Sequence, residues 1–143
     1  MKLVEVVRTE QTDPALFARA MEFTKSLSKT PVECIDTPGF VVNRLLVPYL
    51  CSALLLVERG VATAADVDTA MKLGAGHPMG PIALADYVGL DTTLSIITGW
   101  HDAFPDDAAF VVPESLRAKV AAGKLGRKNG EGFYKWDGDK LAA

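Results

Sequence analysis

Residues 36–60 constrain the rest of the chain more than any other stretch. They open Asp36-Thr37-Pro38-Gly39-Phe40-Val41-Val42-Asn43-Arg44, continue Leu45-Leu46-Val47-Pro48-Tyr49-Leu50, and stay largely apolar to Val57 before Glu58-Arg59-Gly60. Pro38 presets one backbone angle and Gly39 reaches conformations closed to other residues, so the opening reads as a turn. The run beyond this turn is too long for a strand and apolar on all sides, which predicts a central buried helix ending at Gly60. Its apolar core, residues 45–57, is bounded by Arg44 and Glu58 and is too short to cross a bilayer. Pro48 lies inside it and predicts a kink or loosened first turns.

Two polar side chains, Asn43 and Arg44, stand at the mouth of this helix. An amide there carries both donors and acceptors. It can bond a nearby backbone group, or it can hold the carbonyl or hydroxyl of a ligand.

Upstream, residues 2–8 alternate as a strand, with Val4 and Val6 on one face and Leu3, Glu5 and Val7 on the other. Only residues 32–35 and 133–136 offer themselves as further strands, so this one is expected to be short of partners and loosely held. Glu5 is then expected at an exposed edge. Thr12-Asp13-Pro14 starts a helix through Leu16, Phe17, Ala20, Met21, Phe23 and Leu27 to about residue 28. Thr30-Pro31 ends it.

Downstream, Thr63 caps a helix whose expected inner face is Val67, Ala70, Met71 and Leu73, with Asp66 in its first turn. Residues 74–81, Gly-Ala-Gly-His-Pro-Met-Gly-Pro, form a loop. His77 there precedes a proline and has no acidic or cysteine partner nearby, so a loop role is preferred to a catalytic one. Pro81 opens a short helix closed by Gly89, and Asp91 caps another anchored by Leu94, Ile96, Ile97 and Trp100. Residues 105–112 read as a loop, and a last helix starts at Pro113-Glu114-Ser115. The glycine-rich, basic residues 123–132 lack Walker spacing and read as turns that return Phe133, Tyr134 and Trp136 to the domain.

Composition narrows the function classes. A hydrophobic fraction of 49% with 23% charged residues argues against disorder. A net charge of −3 with no gathered basic patch excludes nucleic acid as an expected partner, and no membrane is expected either. Cys34 and Cys51 have no metal-type spacing and read as reduced core residues of an intracellular protein.

The run Asp36-Thr37-Pro38-Gly39-Phe40-Val41-Val42-Asn43-Arg44, together with Ala70-Met71-Lys72-Leu73-Gly74-Ala75-Gly76-His77-Pro78-Met79-Gly80-Pro81, closely resembles the C-terminal domain of the L-3-hydroxyacyl-CoA dehydrogenases. That family includes the 3-hydroxybutyryl-CoA dehydrogenases. The likeness extends from Met1-Lys2-Leu3-Val4-Glu5 to Gly130-Glu131-Gly132-Phe133-Tyr134. It implies a mainly α fold: a helical C-terminal domain of 6-phosphogluconate-dehydrogenase-like type with a short N-terminal strand. Residues 1–10 would be the remnant strand and junction of a dinucleotide-binding domain, and residues 11–143 the helical domain.

The resemblance also implies roles. Glu5 matches the family's catalytic glutamate, which orients a histidine base and supports its charge. Asn43 matches the asparagine that contacts the substrate. The family's histidine, its serine near the substrate and its Gly-x-Gly-x-x-Gly domain have no counterpart in these residues. The expected reading is therefore the substrate-binding and dimerisation half of an NAD-dependent enzyme that oxidises 3-hydroxyacyl-CoA to 3-oxoacyl-CoA in fatty acid β-oxidation. NAD is expected in the complete enzyme and not on this chain alone. Expected partners are a second copy through helix faces, a separate NAD-binding domain, and acyl-CoA. The expected compartment is bacterial cytoplasm, or the mitochondrial matrix for a eukaryotic parent. The alternative is a non-catalytic helical dimerisation or acyl-CoA-binding module.

Overall fold

Two successive patterns, strand–helix–strand and then helix after helix, divide the chain into two units. A computed structural model describes residues 1–142, and the units are Met1–Leu45 and the chain from Leu46 onward. In the first unit, β1 (Leu3–Arg8) and β2 (Thr30–Ile35) flank α1 (Pro14–Ser26). The Asp13 side chain caps α1 by accepting the Leu16 N–H at 2.8 Å, and Pro14 fills the first helical position. The strands pair in parallel along their full length, with Glu5 opposite Val32. The expectation of an orphan first strand is therefore corrected: β1 has a complete partner in β2. Residues 133–136 do not contribute to it, since β3 (Trp136–Asp137) pairs instead with β4 (Lys140–Leu141).

The apolar residues of α1 do not all face one way. Phe17, Ala20, Met21 and Thr24 are sheltered, while Leu16, Phe23 and Leu27 are each more than half exposed.

Helix α2 (Val42–Glu58) begins in the first unit and continues into the second, with Pro48 inside it. Pro48 contributes no N–H to the helical ladder. The second unit then adds α3 (Ala64–Gly74), α4 (Pro81–Val88), α5 (Leu90–Ala103) and α6 (Glu114–Ala121). Two of these helix starts are satisfied by side chains. Thr63 accepts the Asp66 N–H at 3.2 Å, and Glu58 at the end of α2 accepts the Ser115 N–H of α6 at 2.9 Å. The core is made of Leu50, Leu54, Ile82, Leu90, Ile97 and Leu116, with Phe110 buried from the loop between α5 and α6. Each such side chain stabilises the fold by roughly 1.5–3 kcal/mol through burial.

One expectation about these faces changes. Ala70 and Leu73 point outward, Leu73 at 83% exposure, whereas Asp68 is buried beside Val67. Leu54 and Ile97 belong to the core, in keeping with a buried central helix and an anchored α5.

Two buried carboxylates tie the second unit together. Asp68 on α3 caps α4, accepting the N–H groups of Ile82 at 2.7 Å and Ala83 at 3.0 Å. Asp86 on α4 accepts the N–H groups of Phe133 and Tyr134, both at 2.9 Å, and the Trp136 indole at 3.0 Å. Tyr134 joins the two by donating its hydroxyl to Asp68 at 2.8 Å. Close approach explains two glycines. A Cβ on Gly80 would collide with the Asp68 side chain, and one on Gly132 with the Asp86 carboxylate. Residues 123–132 are turns around a short 3-10 helix (Arg127–Asn129), and they end on Asp86.

Removing the Asp86 carboxylate leaves three donors without an acceptor, each worth about 1–3 kcal/mol when buried. Asp86→Ala is expected to lower unfolding free energy by about 3 kcal/mol or more in denaturant titration. A loss under about 1 kcal/mol would show that apolar contacts alone hold the tail.

Burial, and then the hydrogen bond to Asp68, raise the Tyr134 hydroxyl above the ordinary tyrosine range. Above pH about 10 the unfolded chain ionises this group while the folded chain keeps its proton, so stability falls as pH rises. Unfolding midpoints measured from pH 8 to 11 should drop with pH in the wild type and drop less steeply in Tyr134→Phe. Equal slopes would count against this assignment.

Candidate functional site

The register of β1 decides where Glu5 goes. Alternation puts Glu5 on the face shared by Leu3 and Val7, and pairing with β2 fixes that face. Its carboxylate meets the start of α2, where the first N–H groups have no helical partners. Glu5 Oε1 accepts from Val41 at 2.8 Å and from Val42 at 3.0 Å. A negative charge at a helix N-terminus is also favoured by the helix dipole. Glu5 is therefore half-buried and engaged, not the partnerless edge residue expected from an orphan strand.

The turn that delivers these amides is tight. Phe40 N–H bonds the Thr37 carbonyl at 3.0 Å, and Arg44 N–H bonds that of Gly39, also at 3.0 Å. Gly39 and Phe40 both have positive φ, 79° and 50°. Asn43 lies on the first turn of α2, exposed, and its side chain makes no hydrogen bond to another described residue. The local-backbone explanation for its amide does not apply.

These residues converge. A cleft of about 370 Å³ is lined by Met1, Leu3, Glu5, Phe40, Val42 and Asn43. It joins one carboxylate and one amide to four apolar side chains, and no Lys, Arg or His side chain lines it. Such a site suits a small polar group carried on an apolar chain. Sequence reasoning points to Glu5 and Asn43 separately but misses Phe40. The available signal is a large aromatic placed directly after Pro38-Gly39.

Other chemically capable groups are not assembled into a centre. His77 Nδ1 lies 3.2 Å from the Tyr49 hydroxyl with the rings edge to face. Among the described residues no acidic side chain is hydrogen-bonded to either member of that pair, so it is not a catalytic relay. Burial pushes the Cys51 thiol up to about 12. Desolvation, reinforced by Glu5, Asp36 and Glu33, raises Cys34. Neither is an activated thiolate. Among the described residues no cluster of His, Cys, Asp or Glu could hold a metal ion, and no helix is long and apolar enough to cross a membrane.

Comparison with known proteins gives this geometry a setting. Residues 39–136 match the family profile of the 3-hydroxyacyl-CoA dehydrogenase C-terminal domain, and residues 1–37 match that of the 3-hydroxyacyl-CoA dehydrogenase NAD binding domain. The mitochondrial hydroxyacyl-coenzyme A dehydrogenase of Rattus norvegicus is 57% identical over 136 residues, which cover 95% of this chain and 43% of that protein. A probable 3-hydroxybutyryl-CoA dehydrogenase of Deinococcus radiodurans is 49% identical over 95% of this chain and 49% of its own length. The crystal structure of (S)-3-hydroxybutyryl-CoA dehydrogenase PaaH1 from Ralstonia eutropha superposes with a TM-score of 0.90 at 41% identity, over 96% of this chain and 48% of that one. The chain thus spans about half the length of the relatives it matches. Residues 1–37 contain no glycine, and the turn after β1 has no Gly-x-Gly-x-x-Gly, so these residues do not fit the pyrophosphate of NAD.

Proposed function

Because this chain belongs to the 3-hydroxyacyl-CoA dehydrogenase family, we propose that it supplies the acyl-binding half of an NAD-dependent enzyme that oxidises 3-hydroxyacyl-CoA to the 3-oxo thioester. The observation that carries this reading is the convergence of Glu5, Phe40 and Asn43 on one cleft. The Asn43 amide, bonded to no described residue, would hold the substrate's oxygen, and Leu3, Phe40 and Val42 would line its acyl chain. Both amide bonds to Glu5 fall on Oε1. Oε2 would then accept the N–H of a histidine base, the role that the family resemblance implies for this glutamate. A carboxylate so placed fixes the ring's orientation and stabilises its protonated form. The 3-hydroxyl proton would pass to that base. In this reading Glu5 is catalytic and Asn43 binds substrate.

A separate NAD-binding domain is the partner this reading requires. Parallel sheets are ordinarily buried on both faces within larger assemblies. The first unit offers a two-stranded one, with Leu16, Phe23, Leu27 and Ile35 exposed around it. In place of a junction limited to residues 1–10, residues 1–37 are proposed as the part that joins that domain, and the chain from residue 39 onward as the helical domain. The proposed pathway is fatty acid β-oxidation, in the cytoplasm of a bacterium or the mitochondrial matrix of a eukaryote. A second reading, a helical dimerisation or acyl-CoA-binding module without chemistry, is favoured by the glycine-free residues 1–37. Turnover separates the two.

The purified chain is expected to bind 3-hydroxybutyryl-CoA but to reduce acetoacetyl-CoA with NADH no faster than the uncatalysed rate. Adding a dinucleotide-binding domain of a relative, with its histidine, should restore turnover measured at the nicotinamide absorbance. Thioester binding without restored turnover would leave the binding-module reading in place.

A homodimer through helix faces is the proposed assembly. Leu56 on α2 and Leu73 on α3 present apolar side chains at 42% and 83% exposure, and burial of such side chains drives association. Light scattering at micromolar concentration should give twice the 15.3 kDa chain mass. A monomer mass there would overturn this assembly.

A further inference from the structure

The turn that enters α2 is held in a conformation its sequence resists. Phe40 sits at φ 50°, a left-handed backbone that a bulky aromatic rarely adopts and that persists only where its surroundings impose it. The imposing group is on another strand. Glu5 Oε1 accepts the N–H groups of Val41 at 2.8 Å and Val42 at 3.0 Å, which belong to the two peptide planes directly after Phe40. One oxygen shared by successive amides fixes the orientation of both planes. From the other side, Phe40 N–H is tied to the Thr37 carbonyl at 3.0 Å. The same turn carries Phe40, Val42 and Asn43 into the cleft.

We infer that Glu5 is a positioning residue: by clamping the amides of Val41 and Val42 it holds Phe40 left-handed, and so sets the width of the cleft and the placement of the Asn43 amide. The inference rests on reading that cleft as the acyl-CoA site, and it assigns Glu5 a task separate from any service to a histidine. The two tasks use different chemistry. Orienting and stabilising a protonated base needs the negative charge. Clamping two N–H groups needs only an acceptor oxygen, which the amide of glutamine also provides.

The test uses the full chain, isotope-labelled, as wild type, Glu5→Gln and Glu5→Ala. Amide exchange at Val41 and Val42 reports the clamp, and titration with 3-hydroxybutyryl-CoA, followed at the Asn43 side-chain amide, reports the cleft. Glu5→Ala is expected to speed exchange at both amides about tenfold or more and to weaken thioester binding by a similar factor. Glu5→Gln should stay within about threefold of wild type in both, because the acceptor remains. Wild-type exchange rates in Glu5→Ala would overturn the clamp. Weak binding by Glu5→Gln with both amides still protected would place the role in the charge and overturn the inference. Undiminished binding by Glu5→Ala with both amides exchanging fast would overturn the link from clamp to cleft. If the wild type binds no thioester, the functional reading fails, while the exchange pattern still decides the clamp. Should Glu5→Ala not fold, Phe40→Gly carries the test, since glycine accepts this φ without help. The double variant Glu5→Ala, Phe40→Gly then folds, and a double variant that stays unfolded overturns the proposal.

Discussion

The Asp86 carboxylate is the interaction on which the second unit depends. A carboxylate wholly removed from water is tolerated only when its lone pairs are used, and here two backbone N–H groups and an indole use them. The arrangement runs both ways: the tail is located because Asp86 needs donors, and Asp86 is buried because the tail supplies them. Gly132 is glycine because nothing larger fits against that carboxylate. Tyr134 extends the arrangement to Asp68 and from there to the start of α4. A few polar atoms thus align what the surrounding leucines and isoleucines merely compress, since apolar burial is not directional.

The first unit repeats this logic with less shelter. Glu5 does for α2 what Asp68 does for α4: a carboxylate from another element satisfies the opening N–H groups of a helix. The difference lies in exposure. Asp68 is sealed in, whereas Glu5 borders an open cleft, and both of its amide bonds fall on Oε1. That contrast separates a carboxylate enclosed by the fold from one that stays open to solvent.

The sequence makes legible what acts over a few residues. Asp13-Pro14, Thr63 with Asp66, Pro81 and Gly89 locate helix ends because caps and turns are local chemistry. The parallel partner of β1 is legible as a strand but not as a sufficient one, since pairing across a helix leaves no local mark. Asp68 and Asp86 escape a local reading because their partners lie between 14 and 66 residues away. A lone aspartate in the otherwise apolar run Pro81-Ile82-Ala83-Leu84-Ala85-Asp86 is the clue to one of them. At the site, Glu5 and Asn43 stand out through family likeness. Their meeting, and the part of Phe40 in it, come only from the fold, 36 residues of chain separating Glu5 from the first amide it holds.

The pairing of β1 with β2 has a consequence for how this chain can vary. Side chains on a strand alternate between faces, so shifting β1 by one position against its neighbour would carry Glu5 to the opposite side of the sheet. Substitutions of one β-branched residue for another at Val4 or Val6 leave that phase untouched. A single inserted or deleted residue between Leu3 and Glu5 does not, and it would silence the carboxylate without altering its identity. For this strand, length is a stricter inheritance than composition.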